Sequence, residues 1–416
     1  MKAVLASMMS LFLSAAILLI GHGLQYTLIP LYAVSLNWQP EIIGYIGSSY
    51  FLGFVVGCLT VPALVSRVGH IRVFASLIAL LAASMLFIGL SDHFTYWLFA
   101  RGLMGWAMAG TYMVIESWLN EKTPSENRGS VLSIYAVITL AAICVGQLLV
   151  GLSLSYTQMF MVAAIIMLIG VLPIGLTTRI VPSPIPPMRF SIKRILGVSQ
   201  IAMVGAFTSG IIAGGFWALG PVVADANNLN PSQIGIFMAI TLIGGAVLQF
   251  PLGRTSDYID RRKVIGSVAF VGVMICLAAM QPFIKHPTFI FITMFMFGGL
   301  VFPIYSLCLA HANDNTDLSV IEVGSGILMM NSLGSVIGPL IISPLIAYTE
   351  QALFIVSALA FLILAFWTLY RVKFHKVKRE HFEPFVSVNK TTHEVIEVGM
   401  EHDELSESEY KQEMSS

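Results

Sequence analysis

An all-α membrane protein of twelve transmembrane helices, arranged as two parallel six-helix repeats, is the fold that three features of this sequence predict. Of its 416 residues, 57% are hydrophobic and only 11% are charged. That is more apolar surface than one water-soluble core can hide. The apolar residues also fall into twelve runs, each near the roughly 20 residues a helix needs to cross the hydrocarbon. Finally, the chain repeats itself at an offset of 191: Pro30, Ala33, Asn37, Pro40, Ile43, Gly44 and Gly53 recur as Pro221, Ala224, Asn228, Pro231, Ile234, Gly235 and Gly244. The prolines and glycines weigh most, because they fix backbone geometry at helix ends and close contacts.

The runs lie near 8–33, 42–65, 72–90, 94–119, 130–152 and 158–179 in the first half. Those of the second half lie near 199–224, 232–252, 264–284, 288–312, 323–347 and 351–371. The first run follows Lys2 but is too long for the core of a signal peptide and lacks a small-residue cleavage site, so it reads as a span. Lys2, Arg67, Arg72, Lys122, Arg128, Arg179, Arg189, Lys193, Arg194, Arg254, Arg261, Arg262 and Lys263 precede the first span or follow even-numbered spans. The connections after odd-numbered spans carry only Lys285. Positive charge is retained in the cytoplasm, which places both termini there.

Residues 1–180 form the first six-helix half and 199–371 the second, joined by a cytoplasmic linker, 181–198, with Pro182, Pro184, Pro186 and Pro187. An even number of spans per half makes the repeats parallel, about an axis along the membrane normal. The tail, 372–416, is basic at its start and acidic and sparsely hydrophobic from Glu394 to Glu413. It is expected to be cytoplasmic and disordered. Cys58, Cys144, Cys276 and Cys308 all fall inside apolar runs, as small packing residues do. Neither a disulfide framework nor metal-ligand spacing is present, so no metal is expected.

Polar residues inside the spans are the candidates for chemistry, since they must face protein or water. His22, Gln25 and Tyr26 share a stripe of span one. They either bond a neighbouring helix or take part in a substrate or proton site. Arg101, Gly105, Met108 and Tyr112 share one face of span four, with Glu116 at its edge. The Arg101 charge is costly in an apolar span unless it is paired or hydrated. Glu116 lies near the end of the span, where an interfacial carboxylate is an equal reading. Span seven contributes Trp217, the counterpart of Tyr26; span ten contributes Tyr305 and His311, and span eleven Asn331. His22, Glu116 and His311 are the titratable candidates for proton coupling. Asn120 to Gly129 reads as a turn in which Ser125 or Asn127 caps span five.

Two charged stretches occupy matching places after spans two and eight, Pro62 to Arg72 and Pro251 to Lys263, both read as short loops between apolar runs at the membrane surface. They resemble the Gly-x-x-x-Asp-Arg-x-Gly-Arg-Arg motif of the major facilitator superfamily. The first keeps Arg67, Gly69 and Arg72 but has Ser66 for the aspartate. The second keeps Gly253, Asp257, Arg261 and Arg262 but has Tyr258 for the first arginine and Asp260 for the second glycine. Arg101 followed by Gly105 resembles the family's fourth-helix motif, whose arginine faces a central cavity. Glu116-Ser-Trp-Leu-Asn and Asn127-Arg-Gly-Ser resemble a bacterial branch of the same family. The resemblance covers about residues 1–372. It implies that these loops latch the cytoplasmic side, pairing Asp257 with the start of span five near Arg128, Gly129 and Ser130. Span eleven reads Gly334-x-x-x-Gly338-Pro339, similar to the glycine-rich fifth-helix motif of the family's exporters. Span five has Gly146-Gln147 instead, so drug efflux is not implied.

The expected function is a secondary active transporter of the inner membrane that moves a small solute by alternating access, with protons as the expected coupling ion. The substrate-binding candidates are His22, Gln25, Tyr26, Arg101, Tyr112, Trp217, Tyr305 and Asn331. No ATP-binding Gly-x-x-x-x-Gly-Lys-Ser/Thr loop is present, so an ion gradient would drive uphill movement. A sensor or scaffold that kept the fold without transport is the alternative. An intramembrane enzyme lacks support, with neither His-Glu-x-x-His nor Gly-x-Ser-x-Gly in the chain. A monomer is expected, with no cofactor and no nucleic-acid partner.

Overall fold

The computed structural model describes residues 2–123, 128–176, 199–281, 286–314 and 320–374. The first six long helices are α1 (Lys2–Ser35), α2 (Pro40–Val68), α3 (His70–Leu90), α4 (Phe94–Lys122), α5 (Arg128–Leu148) and α6 (Tyr156–Ile169). The other six are α7 (Gln200–Ala226), α8 (Pro231–Tyr258), α9 (Arg261–Ala279), α10 (Pro287–Asn313), α11 (Val320–Ile346) and α12 (Ala352–Phe374). A 3-10 turn, Leu149–Gly151, prolongs α5, and a one-turn helix, Leu172–Gly175, follows α6. Among the described residues, twelve segments are long and apolar enough to cross a membrane, and there is no strand.

Four boundaries differ from the sequence expectation. The turn expected over 120–129 is shorter, because α4 runs to Lys122 and α5 begins at Arg128. The charged stretches after spans two and eight are helical almost throughout. Gly69, at φ 93°, alone separates α2 from α3, and Ile259 and Asp260 alone separate α8 from α9. Each extra helical turn satisfies its own backbone groups while long basic side chains reach the interface, so helices outrun the apolar run. The sixth span, expected as continuous, breaks after Ile169, because Pro173 has no N–H to donate to a continuing helix. The expected tail begins late, since α12 continues to Phe374. The 181–198 linker, the remainder of the tail, and the Ser125 and Asn127 caps lie outside the described residues.

The repeat appears as repeated packing. Asn37 and Asn228 end α1 and α7 in the same left-handed conformation, with φ 57° and 60°. Short polar side chains tolerate that region best after glycine. Gly105 of α4 lies against the Tyr50 carbonyl of α2, and Gly298 of α10 against the Thr241 carbonyl of α8. Likewise α1 packs on α5 as α7 does on α11, and α3 packs on α6 as α9 does on α12. Small residues at these crossings let backbones touch, which is how helices associate where lipid removes the hydrophobic drive.

Across the two repeats the main seams are α2 on α11 and α5 on α8. Gly44 meets Ser343 and the Pro339 carbonyl, and Ser48 Oγ donates to the Val336 carbonyl at 2.7 Å. On the other seam, Gly235 meets the Gln147 carbonyl, and Ser232 Oγ reaches the Gly151 carbonyl at 3.4 Å. All these contacts lie at the end of the bundle where α1 hands over to α2.

Candidate functional site

The middle of the bundle is built around Arg101. Its helix, α4, approaches α2 closely because Gly102 and Gly105 face the backbone around Ser49, Tyr50 and Gly53. That closeness brings the Tyr50 ring under the guanidinium, 4.4 Å from Cζ to the ring centroid. Arg101 is 5% exposed. Among the described residues no carboxylate pairs with it, and its Nε has no hydrogen-bond partner. Nη1 makes one long contact, 3.5 Å to Gln25 Oε1. A cation–π contact contributes about 2 kcal/mol when desolvated, against roughly 2.5–3.5 kcal/mol for inserting arginine at the centre of a span. The guanidinium is thus placed with donor capacity to spare.

Helix α1 supplies the next layer. His22 and Gln25 are one turn apart and fully buried, and Gln25 Nε2 lies 2.6 Å from His22 Nδ1. The other ring nitrogen, Nε2, lies 3.5 Å from the Tyr50 hydroxyl, which in turn lies 3.4 Å from that of Tyr26. A chain of polar groups therefore runs from Arg101 through Gln25 and His22 to Tyr50 and Tyr26. Aromatic rings wall it. His22 has Tyr26 at 4.6 Å and Tyr112 at 6.2 Å, and Tyr26 packs at a tilt of 33° on Trp217 of α7, 4.6 Å away. Phe302 of α10 stands 6.0 Å beyond Trp217.

The structure therefore brings together His22, Gln25, Tyr26, Arg101, Tyr112 and Trp217, and adds Tyr50, which the sequence reading does not single out. Tyr50 belongs to the stripe Ile43, Ile46, Tyr50, Gly53, Gly57, spaced at three and four residues. That spacing is the available signal. Tyr305 and Asn331 are not brought to this cluster by the contacts described. Asn331 Nδ2 donates to the Ala206 carbonyl at 3.0 Å and ties α11 to α7. Tyr305 is fully buried on α10, within electrostatic reach of Cys58 on α2. Glu116 is fully buried, not interfacial, and interacts with Cys58, Tyr112 and Tyr135.

A second charged group sits where α8, α9 and α10 end or begin. Arg261, 1% exposed, donates from Nε to Asp314 at 2.6 Å and from Nη1 to Ser256 at 3.1 Å, with Asp257 at 3.5 Å. Arg262 pairs with Asp260 at 2.7 Å, and His311 is buried among Asp260, Arg261, Arg262 and Arg371. Asp260 caps α9 by accepting from the Arg262 N–H. Partial burial opposes its charge, yet the Arg262 side chain and N–H hold the carboxyl below its ordinary range. In the matching place of the first repeat, Arg67 and Arg72 are exposed, Ser66 bonds its own helix at the Ala63 carbonyl, and His70 lies 3.3 Å from Ser117. Gly253 is buried in α8 beside this group. Arg128 and Gly129, the expected partners of Asp257, have side chains outside the described set. Among the described residues, no group of three His, Cys, Asp or Glu is arranged to hold a metal.

Comparison with known proteins agrees with this architecture. The family model described as Major Facilitator Superfamily matches residues 11–199 and 202–398. The chain is 29% identical over 355 residues to the uncharacterized MFS-type transporter YcaD of Escherichia fergusonii, covering 84% of this chain and 91% of that one. It is 28% identical to YcaD of Salmonella newport over 338 residues, covering 80% and 87%. In fold it is similar to a mutant form of the nucleoside transporter NupG, with a TM-score of 0.72 at 15% identity over 87% of this chain and 98% of the other. A bacterial homologue of the human lysosomal transporter Spinster, in an inward-facing and occupied conformation, gives a TM-score of 0.71 at 14% identity over 88% and 96%.

Proposed function

Because this chain belongs to the Major Facilitator Superfamily and is a multi-pass membrane transporter, we propose that it works by alternating access on a small organic anion, and that proton movement drives it. The observation that carries the anion is Arg101: a buried guanidinium with an unpartnered Nε, a long contact to Gln25 and no carboxylate partner among the described residues. An anionic group entering beside it would supply the charge-assisted hydrogen bonds that these neighbours do not. Tyr26, Tyr50, Tyr112 and Trp217 offer ring faces and edges to the apolar part of the same solute.

His22 is the proposed coupling group. It bridges Gln25 and Tyr50 in the same polar chain, so protonating its ring changes what Arg101 and the solute meet. Two cations so close favour an anion between them, which couples proton and solute binding in the same direction. Glu116 and His311 remain further coupling candidates on the grounds of their burial.

Alternating access is supported by where the two seams α2–α11 and α5–α8 bond most closely: the Gly44, Ser48, Ser232 and Gly235 contacts gather at the α1–α2 end, while Tyr26–Trp217 meets deeper in the bundle. With the termini in the cytoplasm, as the charge distribution indicates, this end faces outward and the protein is closed there. The cytoplasmic latch would engage in the opposite state, through Asp257 and the start of α5. The residues proposed for it are Arg67, Gly69, Arg72, Gly253, Asp257, Arg261 and Arg262. Counterflow in proteoliposomes under an imposed pH gradient tests the whole reading, using small carboxylates as solutes. Accumulation that follows the gradient in wild type and becomes gradient-independent in His22→Gln is the expected result. Equal accumulation with and without the gradient in wild type contradicts proton coupling, and no accumulation of any carboxylate contradicts the anion assignment.

A further inference from the structure

Gln147 is a fully buried amide whose Oε1 and Nε2 both lack a hydrogen-bond partner among the described residues. Its backbone sits on the α5–α8 seam, where Gly235 meets its carbonyl. The repeat supplies an internal control. The twin of this contact is Gly44 against the carbonyl of Pro339 on the α2–α11 seam, with Gly44 and Gly235 at the same repeat position. A proline with no polar side-chain atom closes that seam, so packing alone does not ask for an amide.

A second orphan lies alongside. Thr27 of α1 is fully buried, and its Oγ1 has no partner among the described residues. Buried Thr111, Thr241 and Thr368 return their hydroxyls to the carbonyl four residues back, which Thr27, like Thr139, does not. Thr27 is one turn beyond Gly23 on the α1 stripe that faces α5, where Gly23 and Gly146 touch. Its twin in the second repeat is Ala218, which meets Gly47 across the other seam. Thus one seam carries Thr and Gln where its counterpart carries Ala and Pro. On α5, residue 147 points between the side that meets α1 (Ile143, Gly146) and the side that meets α8 (Cys144, Leu148).

We propose that Thr27 and Gln147 form a second polar subsite, on the α1–α5–α8 seam, that binds an uncharged hydrogen-bonding group of the transported solute, a hydroxyl or a carboxamide. This rests on the reading of the central cluster as an anion site. An amide supplies one acceptor and two donors, and a hydroxyl supplies both, so together they match a neutral group that donates and accepts. Neither carries charge, so they offer no ion pair to a second ionised group. Leaving such groups unpaired inside a bilayer is costly, and a site built to bond a polar group strongly rejects an analogue without it. Thr27 follows Tyr26 on α1, about 100° further round the helix, so the subsite lies at the α5-facing edge of the helix that carries the Tyr26–Trp217 pair.

Two measurements test this. In protein with its four cysteines replaced by alanine, Gln147→Cys and Thr27→Cys in native membranes should react with 2-aminoethyl methanethiosulfonate, because the subsite opens to the solute path. Failure of the Gln147→Cys protein to react, when it is present at wild-type level, overturns the proposal. Binding to purified protein is then compared for benzoate, 4-hydroxybenzoate and 4-carbamoylbenzoate by quenching of tryptophan fluorescence. Wild type should favour the two substituted acids by about tenfold, as expected for one satisfied hydrogen-bonding group. Gln147→Leu should erase that preference and leave benzoate binding unchanged, whereas Arg101→Ala should lose all three. A preference that survives in Gln147→Leu overturns the subsite. Absence of all binding in wild type overturns the anion reading instead, and the labelling result then decides alone whether Gln147 faces the path.

Discussion

The two repeats share a backbone plan but divide their polar residues unequally. At matching places in α1 and α7, His22, Gln25 and Tyr26 face Ala213, Phe216 and Trp217. In α4 and α10, aligned through Gly105 and Gly298, Arg101 is matched by Met294 and Glu116 by Leu309, while Tyr112 is matched by Tyr305. The first repeat thus holds the charge in mid-membrane, and the second presents an aromatic wall. At the α8–α9 turn the inequality reverses. There the second repeat pairs Arg261 with Asp314 and Asp257, and Arg262 with Asp260, within electrostatic reach of His311, where the first has Ser66, Gly69, His70 and Ile71. On the proposed function, one repeat would hold the solute and the other would latch. Packing tolerates this division because the glycine crossings that set the backbone, Gly105 on Tyr50 and Gly298 on Thr241, do not depend on the polar side chains.

Substitutions that exchange the two roles should separate sharply. Arg101→Ala should reduce transport by roughly 10- to 100-fold, the loss of charge-assisted hydrogen bonds of about 1.5–3 kcal/mol. Arg101→Lys should still fall by about tenfold, since the ammonium lacks the planar fork. Met294→Leu, at the matching place, should change transport less than twofold. Membrane expression close to wild type in all three, with initial rates as readout, makes the comparison fair. Normal transport by Arg101→Ala would collapse the division of labour.

A smaller effect is expected at Tyr50, where Tyr50→Phe removes the hydroxyl that meets His22 and Tyr26 but keeps the ring beneath Arg101. Loss of one neutral hydrogen bond, about 0.5–1.5 kcal/mol, corresponds to a two- to tenfold fall in apparent affinity. A drop as large as that of Arg101→Ala would mean that the hydroxyl, not the ring, positions the arginine.

At the latch, Asp257→Asn should shift the population toward the state open to the cytoplasm, because a carboxylate at a helix start contributes about 0.3–1 kcal/mol when exposed. Ser66→Ala should do little, since Ser66 bonds its own helix. Labelling of single cysteines at both mouths reads the shift, and equal labelling of Asp257→Asn and wild type would remove Asp257 from the latch. The same assay fixes orientation. Cysteines at Asn37, Asn228 and Lys285 should react with an impermeant reagent from outside, and those at Arg67, Ser191 and Asp260 should not. The reverse pattern would invert the whole topology.

The smallest effect concerns acid. Asp260 is held below its ordinary range in the folded protein, so its contribution is present above the unfolded value near 3.9 and disappears as pH falls through the lower folded value. Thermal stability of wild type and Asp260→Asn should therefore differ at pH 7, and the difference should shrink as pH falls below about 4. A difference that does not shrink with acid would show that Asp260 acts through packing.

The twelve spans and the repeat are legible because hydrocarbon thickness sets helix length and because proline and glycine mark helix ends. The α1 and α4 stripes are legible for the same reason that any helix face is, through the spacing of His22, Gln25 and Tyr26, and of Arg101 and Tyr112. What sequence spacing does not encode is which helix stands opposite. Tyr50 is hidden because its importance comes from lying under Arg101, a contact made by two glycines of another helix. The helical continuation through the charged stretches is hidden too, since charge ends an apolar run without ending a helix. The break at Pro173, by contrast, is written in the chain but masked by the apolar residues on either side of it.

Anion binding at Arg101, in the first repeat, can be read in whole cells by comparing small-molecule contents of cells lacking the protein with cells expressing wild type, Arg101→Ala or Arg101→Lys at equal membrane levels. One or a few small organic anions should differ between deletion and wild type, the difference should vanish in Arg101→Ala, and it should be only partly restored in Arg101→Lys. The same difference in wild type and Arg101→Ala would contradict anion binding there.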